Sequence, residues 1–347
     1  MLIRTISNRA LFMLIWIAAF FTVIVLNWDA VGRPAAESAH VQSFKVMFIS
    51  ILLEALPFVL LGVFISSLLH IFVSERTISR FIPKHPLPGI VFACLLGIVF
   101  PICECGMIPV VRRLLRKGMP LYMATVFVLA GPIINPIVYA STFMAFRSQP
   151  EMAYSRMGLA FVVAAFIGLF IHKFVRKSDL AIRGAQANGL DRGAISHAHA
   201  SCGNHGHEHK HDRSLSSVLR HASDEFFEMG KYLILGALIT AAIQTFMARE
   251  SILAIGQGEW SSQFFMMGFA YLLSICSTSD AFVASSFASM FTGGSILTFL
   301  VFGAMLDFKG TLMLLSVFKK KYVLLIAALL IVSVPLGSVL FQYVLLQ

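Results

Sequence analysis

The sequence predicts an all-α polytopic membrane protein: one N-terminal helix, then two inverted repeats, each with three crossings and a re-entrant helical hairpin. Composition is the first ground. The 347-residue chain is 58% hydrophobic and 13% charged, and its mean hydropathy of +0.83 lies well outside the usual soluble range. Apolar stretches long enough to span a bilayer recur along its whole length, which is the second ground. The third is internal similarity, because landmarks of the first half return in the same order in the second.

The net charge of +10 requires no nucleic-acid partner. Lys and Arg sit in short clusters at segment ends, where cytoplasmic loops hold them. Five cysteines do not form the spaced framework of a secreted disulfide protein. The chain contains no nucleotide-binding P-loop, so drive by ATP would need a separate subunit.

Residues 1–42 are read as a membrane anchor and link. Leu11 to Trp28 is apolar after Arg4 and Arg9, long for a signal peptide and without a small-x-small site directly after it. A retained helix with its N-terminus inside is the reading, and cleavage near Ala35 is the alternative.

The first membrane repeat is placed at 43–177. It opens with a long helix, Ser43 to Val73, carrying Glu54 and Pro57, followed by a basic loop with Arg76, Arg80 and Lys84. Pro88 to Phe100 then runs into a stretch broken by Pro101, Gly106 and Pro109 and holding Cys103, Glu104 and Cys105. Broken backbone in hydrocarbon leaves amide groups unsatisfied at a cost on the order of several kcal/mol each, so such a break must be buried in protein or line a polar cavity. Met119 to Phe146 is a span interrupted by Gly131-Pro-Ile-Ile-Asn-Pro136, and Met157 to Val175 is a clean one.

Residues 178–223 read as a mobile cytoplasmic loop, and 224–347 as the second repeat. Its helices are expected at about Phe226 to Met247, Phe264 to Phe291, Ile296 to Phe318 and Tyr322 to Leu346.

Glu54 and Gly62 read against Glu228 and Gly236, 174 positions on. Cys103 falls against Cys276, 173 on, and Gly131 and Asn135 against Gly303 and Asp307, 172 on. Charge then sets orientation. The loop after the first helix is basic, whereas its counterpart, Ala248 to Trp260, holds Arg249, Glu250 and Glu259. The loop after Phe146 is mixed, whereas its counterpart carries Lys319, Lys320 and Lys321. Opposite polarity at matched positions means inverted topology. Arg112 to Lys117 is also basic, so both ends of Pro88 to Lys117 lie inside only if this segment is a re-entrant hairpin. The matching hairpin would enter from outside and turn at Cys276 to Asp280. The C-terminus then lies outside.

Transporters of this kind place substrates at the midplane, where broken helices expose backbone dipoles. The candidate binding residues there are Cys103, Glu104, Cys105, Asn135, Cys276, Ser277, Thr278 and Ser279. Glu54, Asp280 and Asp307 are candidates for proton coupling, because a carboxylate in an apolar segment is expensive unless paired or functional. Lys309 and Glu54 are candidate partners for Asp307, and a plain structural ion pair is the alternative. Thiols on two facing tips suit a soft, thiophilic species. A redox pair at Cys103 and Cys105 is a second reading, weakened by the lack of a thioredoxin-like context. Packing of small apolar side chains is a third, and it suits Cys94. His197, His199, Cys202, His205, His207, His209 and His211 crowd the loop and read as a metal-binding tract, with Zn²⁺ or another transition ion the expected ligand. No cofactor is required otherwise.

The run from Phe100 to Pro120, with Ala130-Gly-Pro-Ile-Ile-Asn-Pro136, Cys276-Ser-Thr-Ser-Asp280 and Leu306-Asp-Phe-Lys-Gly310, closely resembles the bacterial predicted-permease family typified by the ArsP and YraQ proteins. The resemblance covers the chain from about Ser43 onward. It implies a multi-pass permease of the cytoplasmic (inner) membrane and not an enzyme. Some members export trivalent organoarsenicals, which would suit Cys103, Cys105 and Cys276. The expected function is a secondary transporter moving a thiophilic small molecule, metal or metalloid by alternating access. A membrane thiol-redox protein or redox-gated channel is the alternative. The expected partners are the lipid bilayer and the solute, with a homo-oligomer left open.

Overall fold

The computed structural model describes residues 39–72, 83, 85–99, 103–175, 215–246 and 259–345. The N-terminal anchor at Leu11 to Trp28 and the whole histidine tract lie outside these residues. Two compact units divide at Val46/Met47, and of the first only 39–46, the opening turns of one helix, is described. Everything below concerns the second unit.

The described residues are all helical, with no strand. The first six helices are α1 (Ala39–Phe72), α2 (Pro86–Val99), α3 (Glu104–Arg116), α4 (Leu121–Ala130), α5 (Pro136–Ala145) and α6 (Glu151–Phe174). The next six are α7 (Leu215–Phe246), α8 (Glu259–Leu273), α9 (Asp280–Ser285), α10 (Gly293–Met305), α11 (Phe308–Val317) and α12 (Lys320–Leu345). Among the described residues, four stretches are long and apolar enough to cross a bilayer: Gln42–Leu68, Glu151–Phe174, Gly293–Val317 and Lys320–Val344. The third of these runs through both α10 and α11.

Packing partners recur between the two sets. In the first, α4 packs on α2, α3 and α6, and α5 on α6; in the second, α10 packs on α8, α9 and α12, and α11 on α12. The sets exchange elements: α3 packs on α11, and α5 packs on α9. At the centre α6 meets α12 and α4 meets α10. Gly293–Val317 is accordingly 67% buried, against 22% for Gln42–Leu68, whose leucines face outward. With lipid outside, exposed apolar side chains carry no penalty, and what holds helices together is close packing and hydrogen bonding. Gln263 on α8 accepts from Thr298 on α10 and from Ser338 on α12, tying three helices at one point.

Several helix boundaries differ from the sequence expectation, and three of the differences bear on the site. Helix α6 begins at Glu151 rather than near Met157, which brings Arg156 into the helix. Helix α7 begins at Leu215, so the last nine residues of the stretch read as loop are helical. That segment is polar but free of Gly and Pro, so nothing stops the helix from continuing. The span read as Ile296 to Phe318 breaks at Leu306 and Asp307, where Leu306 is extended and Asp307 starts a new helix.

Each interruption has a local cause. Gly131, Pro132 and Pro136 prevent continuous helix between α4 and α5. Asn135 then caps α5, its side chain accepting from Ile137 N at 2.9 Å, with Pro136 at the first helical position. Asp307 caps α11, accepting from Gly310 N at 2.6 Å. The two caps are the residues that internal similarity pairs. Helix α3 ends in a Schellman motif: Met119 N donates to Leu114 O, Gly118 N to Leu115 O, and Gly118 has φ +96°.

Candidate functional site

Helices α3, α5, α9 and α11 all start at a break, and each begins with an acid or amide. Glu104 and Asp280 are first residues, and Asn135 and Asp307 are caps. Negative or accepting side chains are stabilised there by the free amides and the helix dipole. Three of the four starts, those at Glu104, Asp280 and Asp307, are tied into two polar networks.

The first network surrounds a narrow, half-open cleft with room for about one water molecule, lined by Ile51, Glu54, Ala55, Phe58, Cys103, Glu104, Cys105, Cys276 and Lys309. Cys103 is the N-cap of α3, half-buried, and its carbonyl accepts from Gly106 N and Met107 N. Cys105 and Cys276 are buried. Pro109 lacks the amide that would bond the Cys105 carbonyl, so one turn of α3 is loosened beside the thiols. All three cysteines are free thiols. Thr278 donates its hydroxyl to Cys276 Sγ at 3.5 Å. Ser279 donates to Glu54 Oε1 at 3.2 Å. Helix α1 closes on α3 where Gly62 meets Gly106, so tightly that a Cβ at Gly62 would overlap the Gly106 carbonyl.

Lys309 joins this pocket to Asp307. Its ammonium is 4.0 Å from Glu104 Oε1 and 3.9 Å from Asp307 Oδ2, and it donates to the Ser274 carbonyl at 3.3 Å. Attraction at ~4 Å is worth about 4 kcal/mol for an effective dielectric of about 20. That only offsets a desolvation cost of several kcal/mol per buried ion, so this trio is not a strong structural clamp. Ser274 holds the strained left-handed conformation, φ +47°, while its hydroxyl accepts from Phe308 N at 3.1 Å.

The second network is built on Arg156, which is fully buried. It makes a bidentate pair with Asp280, 3.0 and 2.6 Å, and also donates to Thr142 Oγ1 at 2.8 Å and to the Ser277 carbonyl at 3.2 Å. Ser277 in turn donates to the Pro132 carbonyl at 3.3 Å. Helices α5 and α6 are thereby bonded to the α8–α9 break.

The structure thus gathers Cys103, Glu104, Cys105, Cys276 and Glu54 in one pocket. Thr278, Ser279 and Asp307 touch it through Cys276, Glu54 and Lys309. Asn135 serves α5 as its cap, and Ser277 and Asp280 belong to the arginine network. Sequence reasoning missed Arg156, which looked like a flanking basic residue before a clean span. It also passed over Ser274, whose only signal was its place at the head of the polar run. Among the described residues, no three His, Cys, Asp or Glu side chains converge as a ready metal centre.

All-helical structure with four stretches among the described residues long and apolar enough to cross a bilayer defines a multi-pass helical membrane protein. The chain belongs to the predicted-permease family ArsP_1, which matches residues 40–343. It is 45% identical over 305 residues to the UPF0718 protein YcgR of Bacillus subtilis (strain 168), covering 88% of this chain and 98% of that one. It is 33% identical over 281 residues to a Streptococcus mutans serotype c protein named as a two-component membrane permease complex subunit, covering 80% of this chain and 88% of that one. No solved structure matches. Family membership makes the chain a transporter rather than an enzyme.

Proposed function

We propose that the protein is a secondary transporter of the bacterial inner membrane that moves a thiophilic small molecule or a metal or metalloid species. The observation that carries this reading is the pocket. Thiols from two separate helix breaks, Cys103 and Cys105 from one and Cys276 from the other, line it together with Glu104 and Lys309. Soft sulfur donors select soft ligands, and irregular backbone at membrane depth survives where it lines a cavity. In this reading 43–177 and 224–347 are inverted repeats and their α2–α3 and α8–α9 segments are re-entrant hairpins. The exchange of α3 and α9 between the two sets supports that arrangement. Alternating access would rock the sets about the pocket. Glu54 and Asp307 are the carboxylates proposed to couple protons; Asp280 is offered for the same role only if its arginine releases it.

The tract from His197 to His211 at 178–223 would hold a transition ion such as Zn²⁺ on the cytoplasmic side, with the N-terminus also inside and the C-terminus outside. The name of the streptococcal relative supports a second membrane subunit as a partner. Labelling tests the topology: Arg116→Cys should react from the cytoplasm and Ser289→Cys from outside, and reaction of Arg116→Cys only from outside would remove the hairpins. A metal and metalloid sensitivity screen of a deletion strain, followed by vesicle flux with the best hit, tests the function. No altered sensitivity and no flux would refute it. A thiol-redox role has one observation in its favour, two thiols in a Cys-x-Cys run at one pocket. Reversible trapping of a Cys103–Cys105 disulfide would support that reading over transport.

A further inference from the structure

Lys309 is loosely held for a buried charge. Among the described residues its ammonium donates one hydrogen bond, to the Ser274 carbonyl, and both of its carboxylate neighbours stand near 4 Å, beyond hydrogen-bond reach. Glu104 is 9% exposed and lines the pocket, yet its Oε2 has no hydrogen-bond partner among the described residues; Asp307 Oδ2 has none either. Buried acceptors without donors are costly, and the arginine pair shows that this fold can satisfy a buried carboxylate when only stability is at stake. Two carboxylates therefore face one ammonium, with Glu54 as a third at the pocket lining. Three sulfurs share the space.

Carboxylate oxygens beside thiols form the mixed oxygen–sulfur donor set that a thiophilic divalent cation takes, and they offer an anion no partner but Lys309. We propose that the substrate of this site is a soft metal cation and that Lys309 is a resident counter-ion, holding the carboxylates while the site is empty and displaced when it loads. This rests on the permease reading above and narrows it to the charge of the cargo.

The test uses the full-length protein in detergent and the reaction of half-buried Cys103 with N-ethylmaleimide, read on its own peptide by mass spectrometry so that the histidine tract does not contribute. Cd²⁺ should protect Cys103 in the wild type. Lys309→Met should lower the half-protecting Cd²⁺ concentration at least fivefold, since the competing ammonium is gone. Lys309→Arg, which can hold both carboxylates more firmly, should raise it, and Glu104→Gln should raise it at least tenfold. Phenylarsine oxide, a neutral dithiol reagent, should protect wild type and Lys309→Met equally. If Lys309→Met does not elute as a single species, Lys309→Arg carries the test. Unchanged Cd²⁺ protection in the Lys309 variants, with phenylarsine oxide still protective, overturns the cation inference and leaves the thiol pocket standing. Protection by neither reagent in the wild type overturns both.

Discussion

Glu104 and Asp280 occupy equivalent places, each the first residue of the half-helix that follows a break. Their surroundings differ sharply. Asp280 is gripped by both arms of a fully buried guanidinium that also bonds Thr142 and the Ser277 carbonyl. Glu104 has only an ammonium at 4.0 Å, shared with Asp307, and one oxygen with no partner among the described residues. A planar fork fixes a carboxylate in direction as well as distance, whereas an ammonium on a flexible stem is a movable point charge. One carboxylate therefore pins the two sets of helices together, and the other is left available beside the thiols.

The largest expected effect comes from breaking the pin. Arg156→Ala or Asp280→Asn leaves an uncompensated buried group and should cost about 3 to 5 kcal/mol, read as a lowered melting temperature in detergent or as failure to recover folded protein. Replacing both partners together, Arg156→Met with Asp280→Leu, should recover most of that loss. A melting temperature for Asp280→Asn equal to wild type would erase the distinction. Glu104→Gln should lose much less stability, about 1 to 2 kcal/mol at most, because no hydrogen bond from Lys309 is broken. Equal losses at Glu104 and Asp280 would mean that both are structural.

Next comes the close approach that brings α1 to the pocket. Gly62→Val would push a branched side chain into the Gly106 carbonyl and should cost about 1 to 3 kcal/mol, with increased reactivity of Cys103 as the second readout. Asn135→Ala removes a cap and should cost about 1 kcal/mol without moving Cys103 reactivity. Smallest is Ser279→Ala. It frees Glu54 of one partially exposed hydrogen bond, with an expected cost near ~0.5 kcal/mol, visible only in a side-by-side thermal scan.

Much of this architecture was legible in the sequence, for physical reasons. Proline and glycine inside apolar runs force breaks, so the interruptions at 131–136 and around Cys103 were readable, and the polar run from Cys276 to Asp280 marked the break between α8 and α9. Pairing Asn135 with Asp307 by position identified two residues that prove to be caps. The break at Leu306 was less visible, because no proline marks it and the cap alone had to announce a helix start within an apolar run. Ion pairing was the least legible. Arg156 and Asp280 are 124 residues apart, and nothing in a one-dimensional pattern separates a buried arginine at the head of a span from one at the membrane surface. Lys309 stood out only as a neighbour of Asp307, since its approach to Glu104 depends on α3 packing against α11.

The central claim is that thiols from two separate breaks form one transport site. Reconstituted vesicles carrying wild type and a Cys103→Ser, Cys105→Ser, Cys276→Ser variant, matched for protein content, test it with the strongest compound from the sensitivity screen. The expected result is wild-type flux well above that of empty vesicles and a loss of at least tenfold in the variant, with its melting temperature within a few degrees of wild type. Flux of the variant equal to wild type would contradict the account and return the three cysteines to packing.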